Sequence, residues 1–246
     1  IKVYEIPEVS RVARGKPLVS LLALTSDERV TAVLAISKRK RSGIGLIVLM
    51  TRRGIMKRVE AKEFSNLRRN GLVAIKLPKE DELTWARYSS GRDTVLMVTK
   101  LGQSLRFKET DIRTLSRQAA GVRAIRLKEN DELVGMDVVG SDSDWKKREI
   151  LVITEFGLGK KTPLSEYRMQ KRGGVGVKTI KMTAKTGKLV AAKVLAPEEE
   201  LLLVISEKGQ VIKLALGTLK TQGRSTQGLK IMKLEEGDRI ASATTL

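Results

Sequence analysis

The apolar positions of this chain alternate with polar ones in short runs that restart at glycine. Gly121-Val-Arg-Ala-Ile-Arg-Leu is one, and Gly71-Leu-Val-Ala-Ile-Lys-Leu, Gly176-Val-Lys-Thr-Ile-Lys-Met and Gly228-Leu-Lys-Ile-Met-Lys-Leu repeat it. Runs of this length and period predict strands. Their return at intervals of roughly fifty residues is the mark of a propeller or solenoid array. A second device accompanies the first. Apolar runs ending in Thr or Ser meet a glycine three residues on, in Thr51-Arg-Arg-Gly54, Thr99-Lys-Leu-Gly102, Thr154-Glu-Phe-Gly157 and Ser206-Glu-Lys-Gly209. These predict hairpins whose glycines adopt positive φ.

Each repeat then reads in a constant order: hairpin, basic loop, anchor strand, second turn, final apolar strand such as Leu133-Val-Gly-Met-Asp-Val-Val139. The second turn is acidic in Glu80-Asp-Glu82, Glu129-Asn-Asp-Glu132 and Glu235-Glu-Gly-Asp238, whereas Lys185-Thr-Gly187 is not. Four complete units and one partial unit account for nearly every residue, so no stretch is left for a helical domain. The expectation is one all-β domain over residues 1–246, built of about five propeller-like, four-stranded blades. The first blade is expected to be truncated at its N-terminal side. Lys2-Val-Tyr-Glu-Ile6 reads as the tail of a strand whose partner lies upstream, and Arg29-Val-Thr-Ala-Val-Leu-Ala-Ile36 as a later strand of that unit.

Composition narrows the function. With 246 residues, 41% of them hydrophobic, the chain can bury a sizeable core. It has no cysteine and no histidine, which excludes disulfides and thiolate metal sites and removes the commonest general base; a reducing, cytoplasmic compartment fits. No apolar run approaches the roughly eighteen residues of a membrane span. Lys and Arg number 48 against 28 Asp and Glu, a net charge of +20, which points to a polyanionic partner, nucleic acid first. Aromatics at 3% leave little to stack on unpaired bases, so duplex is favoured over single strands.

The cations are phased. Arg68 and Arg69 precede Gly71, Arg113 and Arg117 precede Gly121, Arg168, Lys171 and Arg172 precede Gly176, and Lys220 and Arg224 precede Gly228; Arg11 and Arg14 occupy a basic turn in the partial unit. Basic and acidic turns hold opposite phases of the repeat, so closing the blades around an axis would gather the cations on one surface. No catalytic centre, metal or cofactor is expected. The carboxylates recur once per blade, as turn chemistry does. Gly157-Leu-Gly-Lys-Lys-Thr162 has Thr154 where a phosphate loop needs its first glycine and Lys161 where it needs Ser or Thr. Gly43-Ile-Gly45 lacks the third glycine of a dinucleotide fingerprint, with Val48 in its place.

The loop Gln170-Lys-Arg-Gly-Gly-Val-Gly176 resembles the signature box Gln-Arg-Arg-Gly-Gly-Lys/Arg-Gly of the C-terminal domain of the DNA gyrase A subunit, a type IIA topoisomerase. Residues 2–15, 121–127 and 222–228 share the resemblance. Lys171 stands for the first Arg and Val175 for the last cation, and the box lies late in the chain. The resemblance implies a β-pinwheel, in which neighbouring blades exchange strands. It also implies a noncatalytic domain of an ATP-dependent enzyme that binds and wraps duplex DNA around a basic rim, without regard to base sequence, in support of negative supercoiling. The partners implied are duplex DNA, the rest of the gyrase A subunit and the gyrase B subunit, with no membrane, in the cytoplasm at a bacterial nucleoid or in an organelle of bacterial descent. Arg11, Arg14, Arg68, Arg69, Arg113, Arg117, Arg168, Gln170, Lys171, Arg172, Lys220 and Arg224 are then the candidate DNA contacts, with Gly173, Gly174 and Gly176 shaping the box. Two alternatives stand beside this: the corresponding domain of the topoisomerase IV A-type subunit, and a non-enzymatic propeller that meets an acidic protein.

Overall fold

A computed structural model describes residues 6–10, 12–17, 20–22, 24–25, 28–35, 45–66, 71–140 and 143–246. In chain order its strands are β1 (Leu46–Thr51), β2 (Ile55–Glu60), β3 (Leu83–Ser89), β4 (Thr94–Thr99), β5 (Gln103–Lys108), β6 (Val122–Arg123), β7 (Leu133–Val139) and β8 (Glu149–Thr154). They continue with β9 (Leu158–Pro163), β10 (Val177–Lys178), β11 (Leu189–Val194), β12 (Leu201–Ser206), β13 (Val211–Ala215), β14 (Leu229–Lys230) and β15 (Ile240–Thr245). Among the described residues no α-helix occurs, only short 3-10 turns.

The hairpins fall where the Thr/Ser-x-x-Gly spacing predicts them. The Thr51 hydroxyl accepts the Ile55 amide at 3.0 Å while the Gly54 amide donates to the Thr51 carbonyl at 3.0 Å. Gln103, Leu158 and Gln210 bond Thr99, Thr154 and Ser206 in the same way. Gly54 closes the turn at φ 82, a region costly for any residue with a Cβ.

The blades are assembled by exchange. Three sheets are four-stranded, in the orders β3-β1-β2-β6, β10-β5-β4-β7 and β11-β8-β9-β14, and the last is three-stranded, β13-β12-β15. In each four-stranded sheet one edge, β6, β10 or β14, is the anchor strand of the following repeat. The opposite edges, β3, β7, β11 and β15, contact one another in succession. They form the inner side of the array, and the exchanged strands are the outer side.

The core lies between blades. On β1, Val48 and Met50 face the second blade, packing with Val95, Met97, Phe107 and Leu133, while Ile47 and Leu49 face the other way. Leu96 and Val98 meet Ile150, Val152 and Tyr167, and Leu151 and Ile153 meet Leu202 and Val204. A strand buried on both faces must be apolar at every position, which is why the central strands read as continuous hydrophobic runs. Of the partial unit, residues 28–35 form no assigned strand; Arg29 pairs with Glu82, and Leu34 packs beside Phe64 and Ala74.

The acidic turns have a local purpose. One carboxylate oxygen of Asp131 accepts the Leu101 and Glu132 amides at 2.9 and 3.0 Å, tying the turn to the tip of the β4–β5 hairpin. Asp81 and Asp238 do the same for Arg53 and Lys208. Where Gly187 replaces the aspartate, Glu155 on the hairpin supplies the carboxylate to the Lys188 amide at 2.8 Å. Asp131 is buried, so Asp131→Ala leaves two amides unpaired and should lower stability by about 2–3 kcal/mol. Urea unfolding checks this against Glu129→Ala, an exposed neighbour; equal midpoints for the two variants would contradict it.

Candidate nucleic-acid interface

Three loops cross from one blade to the outer edge of the blade before it and seat in one register. The amides of Leu115, Gln170 and Gln222 each donate to a carbonyl of the strand they join, those of Arg58, Arg106 and Lys161, all at 2.8 Å. Past these contacts the backbone closes on its neighbour at the anchor glycine. A Cβ on Gly176 would stand 2.4 Å from the Ser104 carbonyl oxygen, at φ +81; Gly121 and Gly228 face the carbonyls of Met56 and Gly159 in the same way. Positions counted from the anchor glycine are therefore equivalent in the three loops.

That register sorts the expected cations into two groups. Arg113, Arg168 and Lys220 follow the buried side chains of Ile112, Tyr167 and Leu219, and all three are exposed. Lys171 is exposed on the box loop, and Arg14 is exposed in the partial unit. Arg117, Arg172 and Arg224 behave differently, for their guanidinium groups reach back to the anchor run of the preceding repeat. They donate to the carbonyls of Val73, Arg123 and Lys178 at 2.8, 3.4 and 2.8 Å. Arg172 also donates through Nε to the Asp111 carbonyl at 3.0 Å. Arg172 and Arg224 tie one exchanged strand to the next, and Arg117 ties its loop to the run that starts at Gly71. Arg11, Arg68 and Arg69 lie outside the described residues.

The exchanged strands carry cations of their own. Arg123, Lys178 and Lys230 on β6, β10 and β14, and Arg126, Lys181 and Lys233 just after them, are all exposed; so is Lys76, although the run from Gly71 to Leu77, expected as a fourth anchor strand, forms none. Their signal was present in the heptads, as the cation two and five residues after the anchor glycine. Periodicity presents them as the polar face of a strand. Only the sheet order puts that strand at the outer edge, beside the loop cations.

Beneath two of the loops sits a buried lysine. Lys57 donates to the carbonyls of Arg117 and, at 2.8 Å, Ala119. Lys160 donates to Gly223, Arg224 and Thr226 carbonyls at 2.6, 2.8 and 3.2 Å. The Gly157–Thr162 run is thus part of a hairpin, and its first lysine serves the protein's own backbone. Burial lowers the pKa of both ammonium groups, that of Lys160 to about 8. Behind the third loop, burial holds the Tyr167 hydroxyl up to about 12, and it pairs with the Thr179 hydroxyl.

The box loop is held by backbone. The Gly173 amide donates to the Ala124 carbonyl at 2.6 Å and the Arg126 amide to the Gly174 carbonyl at 2.9 Å. Gln170 keeps its backbone bond, but its side-chain amide nitrogen is buried without a partner. Gly173 and Gly176 require positive φ, +78 and +81. At Gly174 an added Cβ would make ordinary contacts, 3.5 Å from the Lys171 carbonyl and 3.6 Å from Leu105, so the fold does not demand glycine there.

Removing the Lys160 ammonium leaves the Arg224 carbonyl without a donor, while the Gly223 and Thr226 carbonyls keep the Thr226 hydroxyl and the Lys181 amide, and Lys160→Met should cost about 1–3 kcal/mol. The folded chain releases this proton near 8, whereas the unfolded chain holds it to about 10.5. Between those values only the unfolded state carries the proton, so the lysine's contribution to stability rises with pH. The difference in urea midpoint between the parent chain and K160M is therefore expected to widen from pH 8 to 10.5; a constant difference would contradict it.

The model of the DNA gyrase C-terminal domain, beta-propeller, matches residues 1–37, 45–90, 93–140, 148–196 and 200–246. The DNA gyrase A subunits of Staphylococcus epidermidis and Staphylococcus aureus are 38% and 37% identical over 242 residues, 98% of this chain. The chain spans only 26% and 27% of their length. In fold it resembles a C-terminal domain of DNA topoisomerase IV at a TM-score of 0.88 and 24% identity, covering 99% of this chain and 74% of that one. A DNA gyrase A C-terminal domain superposes with a TM-score of 0.80 at 24% identity, covering 100% and 77%. The strand exchange, the repeating hairpins and the five matched segments agree: this chain belongs to the family of the DNA gyrase C-terminal domain, beta-propeller.

Proposed function

We propose that this chain is the DNA-wrapping part of a gyrase A subunit, holding duplex DNA in a curve along its outer strands without reading base sequence. The carrying observation is the equivalence of Arg113, Arg168 and Lys220, exposed at one register in successive loops. Beside them run the exposed cations of the exchanged strands. A row of cations that turns with the blades can meet successive phosphates of a bent duplex, whereas a straight duplex leaves the row after a short contact. Phosphate contacts position DNA without reporting its sequence. Elastic bending of 20–30 base pairs through 40–90° costs on the order of 1–6 kcal/mol, which several added phosphate contacts offset. The rest of the A subunit and the gyrase B subunit supply cleavage and ATP-driven strand passage in this reading, acting on the DNA segment presented here.

Engagement of about eight phosphates predicts a slope near −7 for log affinity against log salt. Arg168→Ala should lower the slope by about one with an unchanged unfolding midpoint. Arg224→Ala should instead lower stability by about 1 kcal/mol, because its guanidinium ties two outer strands. Wrapping itself is tested by sealing a nicked circular plasmid with ligase in the presence of the chain, where a chiral wrap shifts the linking number. A slope near zero would favour a protein partner over DNA. Tight binding with an unmoved topoisomer distribution would reduce the function to binding alone.

A further inference from the structure

The three seated loops differ in what lies beneath them, and the difference falls on the box. Counting from the hairpin glycine, Lys57 of β2, Leu105 of β5 and Lys160 of β9 occupy the same place, and all are buried. Lys57 and Lys160 fasten loops 115–121 and 222–228 through charge-assisted bonds to their carbonyls. Under loop 170–176 the side chain is an isobutyl group with nothing to donate. The carbonyls of Lys171 and Arg172 accept no hydrogen bond within the described chain, and the Gly174 carbonyl is met by the Arg126 amide alone.

The geometry points to Leu105 as the residue that makes the box loop releasable. We propose that loops 115–121 and 222–228 are fixed stations on the DNA path, while loop 170–176 can leave its seat and follow the backbone of the DNA. Lifting the fastened loops strips a buried ammonium of its acceptors, which is costly inside a sheet edge. Lifting the box loop breaks the backbone bonds to residues 106, 124 and 126 and the exposed Arg172 side chain's bonds to the Asp111 and Arg123 carbonyls, none of which strands a buried charge, and water can replace them at an exposed edge. The loop's composition agrees with this. Lys171 is exposed, and Gly174 keeps the backbone bare at a position where the fold would accept a side chain. Phosphate could therefore approach the chain there most closely. Leu105 is a positioning residue in this scheme, since it touches the loop and not the DNA, and the scheme rests on the wrapping function proposed above.

Leu105→Lys installs the missing fastener, and the absent Cβ at Gly174 leaves room for the longer side chain. Amide hydrogen exchange on the free chain should be faster in residues 170–176 than in 222–228, and L105K should slow the box amides by about tenfold or more. Lys160→Leu should speed exchange at 222–228 while leaving 170–176 unchanged. With nicked plasmid and ligase, L105K should cut the topoisomer shift at least twofold while changing duplex affinity by less than twofold. If L105K does not fold, Leu105→Gln offers an uncharged donor to the same carbonyls for the same comparison. Slowed exchange with an undiminished shift would overturn the proposal and leave wrapping intact. Unslowed exchange at 170–176 would overturn it as well. If the parent chain itself gives no shift, the wrapping function fails, and exchange alone decides whether Leu105 governs the loop.

Discussion

The structure depends on the close approach between each anchor glycine and the strand it joins. At Gly176 the backbones come so near that a methyl group would collide with the Ser104 carbonyl. That contact delivers the outermost strand of each four-stranded sheet from the repeat that follows, so no blade is complete in its own segment. Neighbouring blades are then bound twice, by apolar side chains between their faces and by the exchanged strand along the outside. A two-residue strand such as β10 would be marginal alone. Here its register is settled by the glycine before it and by the arginine that reaches back from the loop.

Charge is divided by depth. Part of the positive surplus is consumed inside the protein: Lys57 and Lys160 saturate loop carbonyls, and Arg58 forms a buried pair with Glu109 at 3.3 Å. Arg106, covered by burial and stacked 3.9 Å from the Trp145 ring, is pushed toward a lower pKa by its loss of water. The acidic turns are consumed as well, because their aspartates satisfy the amides of hairpin tips. What remains at the outer edge is mostly lysine and arginine. The outward potential thus comes from where the carboxylates are spent as much as from the number of cations.

Much of this was legible in the sequence, and for identifiable reasons. A Thr or Ser three residues before glycine closes a hairpin through bonds entirely within the turn, so four hairpins and their spacing follow from local chemistry. Alternation restarting at Gly121, Gly176 and Gly228 announces strands because side-chain period is a property of the backbone itself. The repeat length and the phase of the basic loops need no more than that.

Which blade an anchor strand joins is not local, since Val122 pairs with Met56 across a long stretch of chain and no periodicity encodes the partner. The same non-local fact turned Arg123, Arg126, Lys178 and Lys181 from the polar side of a strand into part of an outer surface. It also separated Arg168, which is exposed, from Arg224, which is tied to the Lys178 carbonyl, although both stand in equivalent-looking basic loops. By itself the sequence determined the hairpins, the strands, their repeat and the phase of their charges, because each is set by bonds between near neighbours. The tertiary structure alone decided which cations face outward, because burial and the choice of partner depend on residues brought together from different repeats.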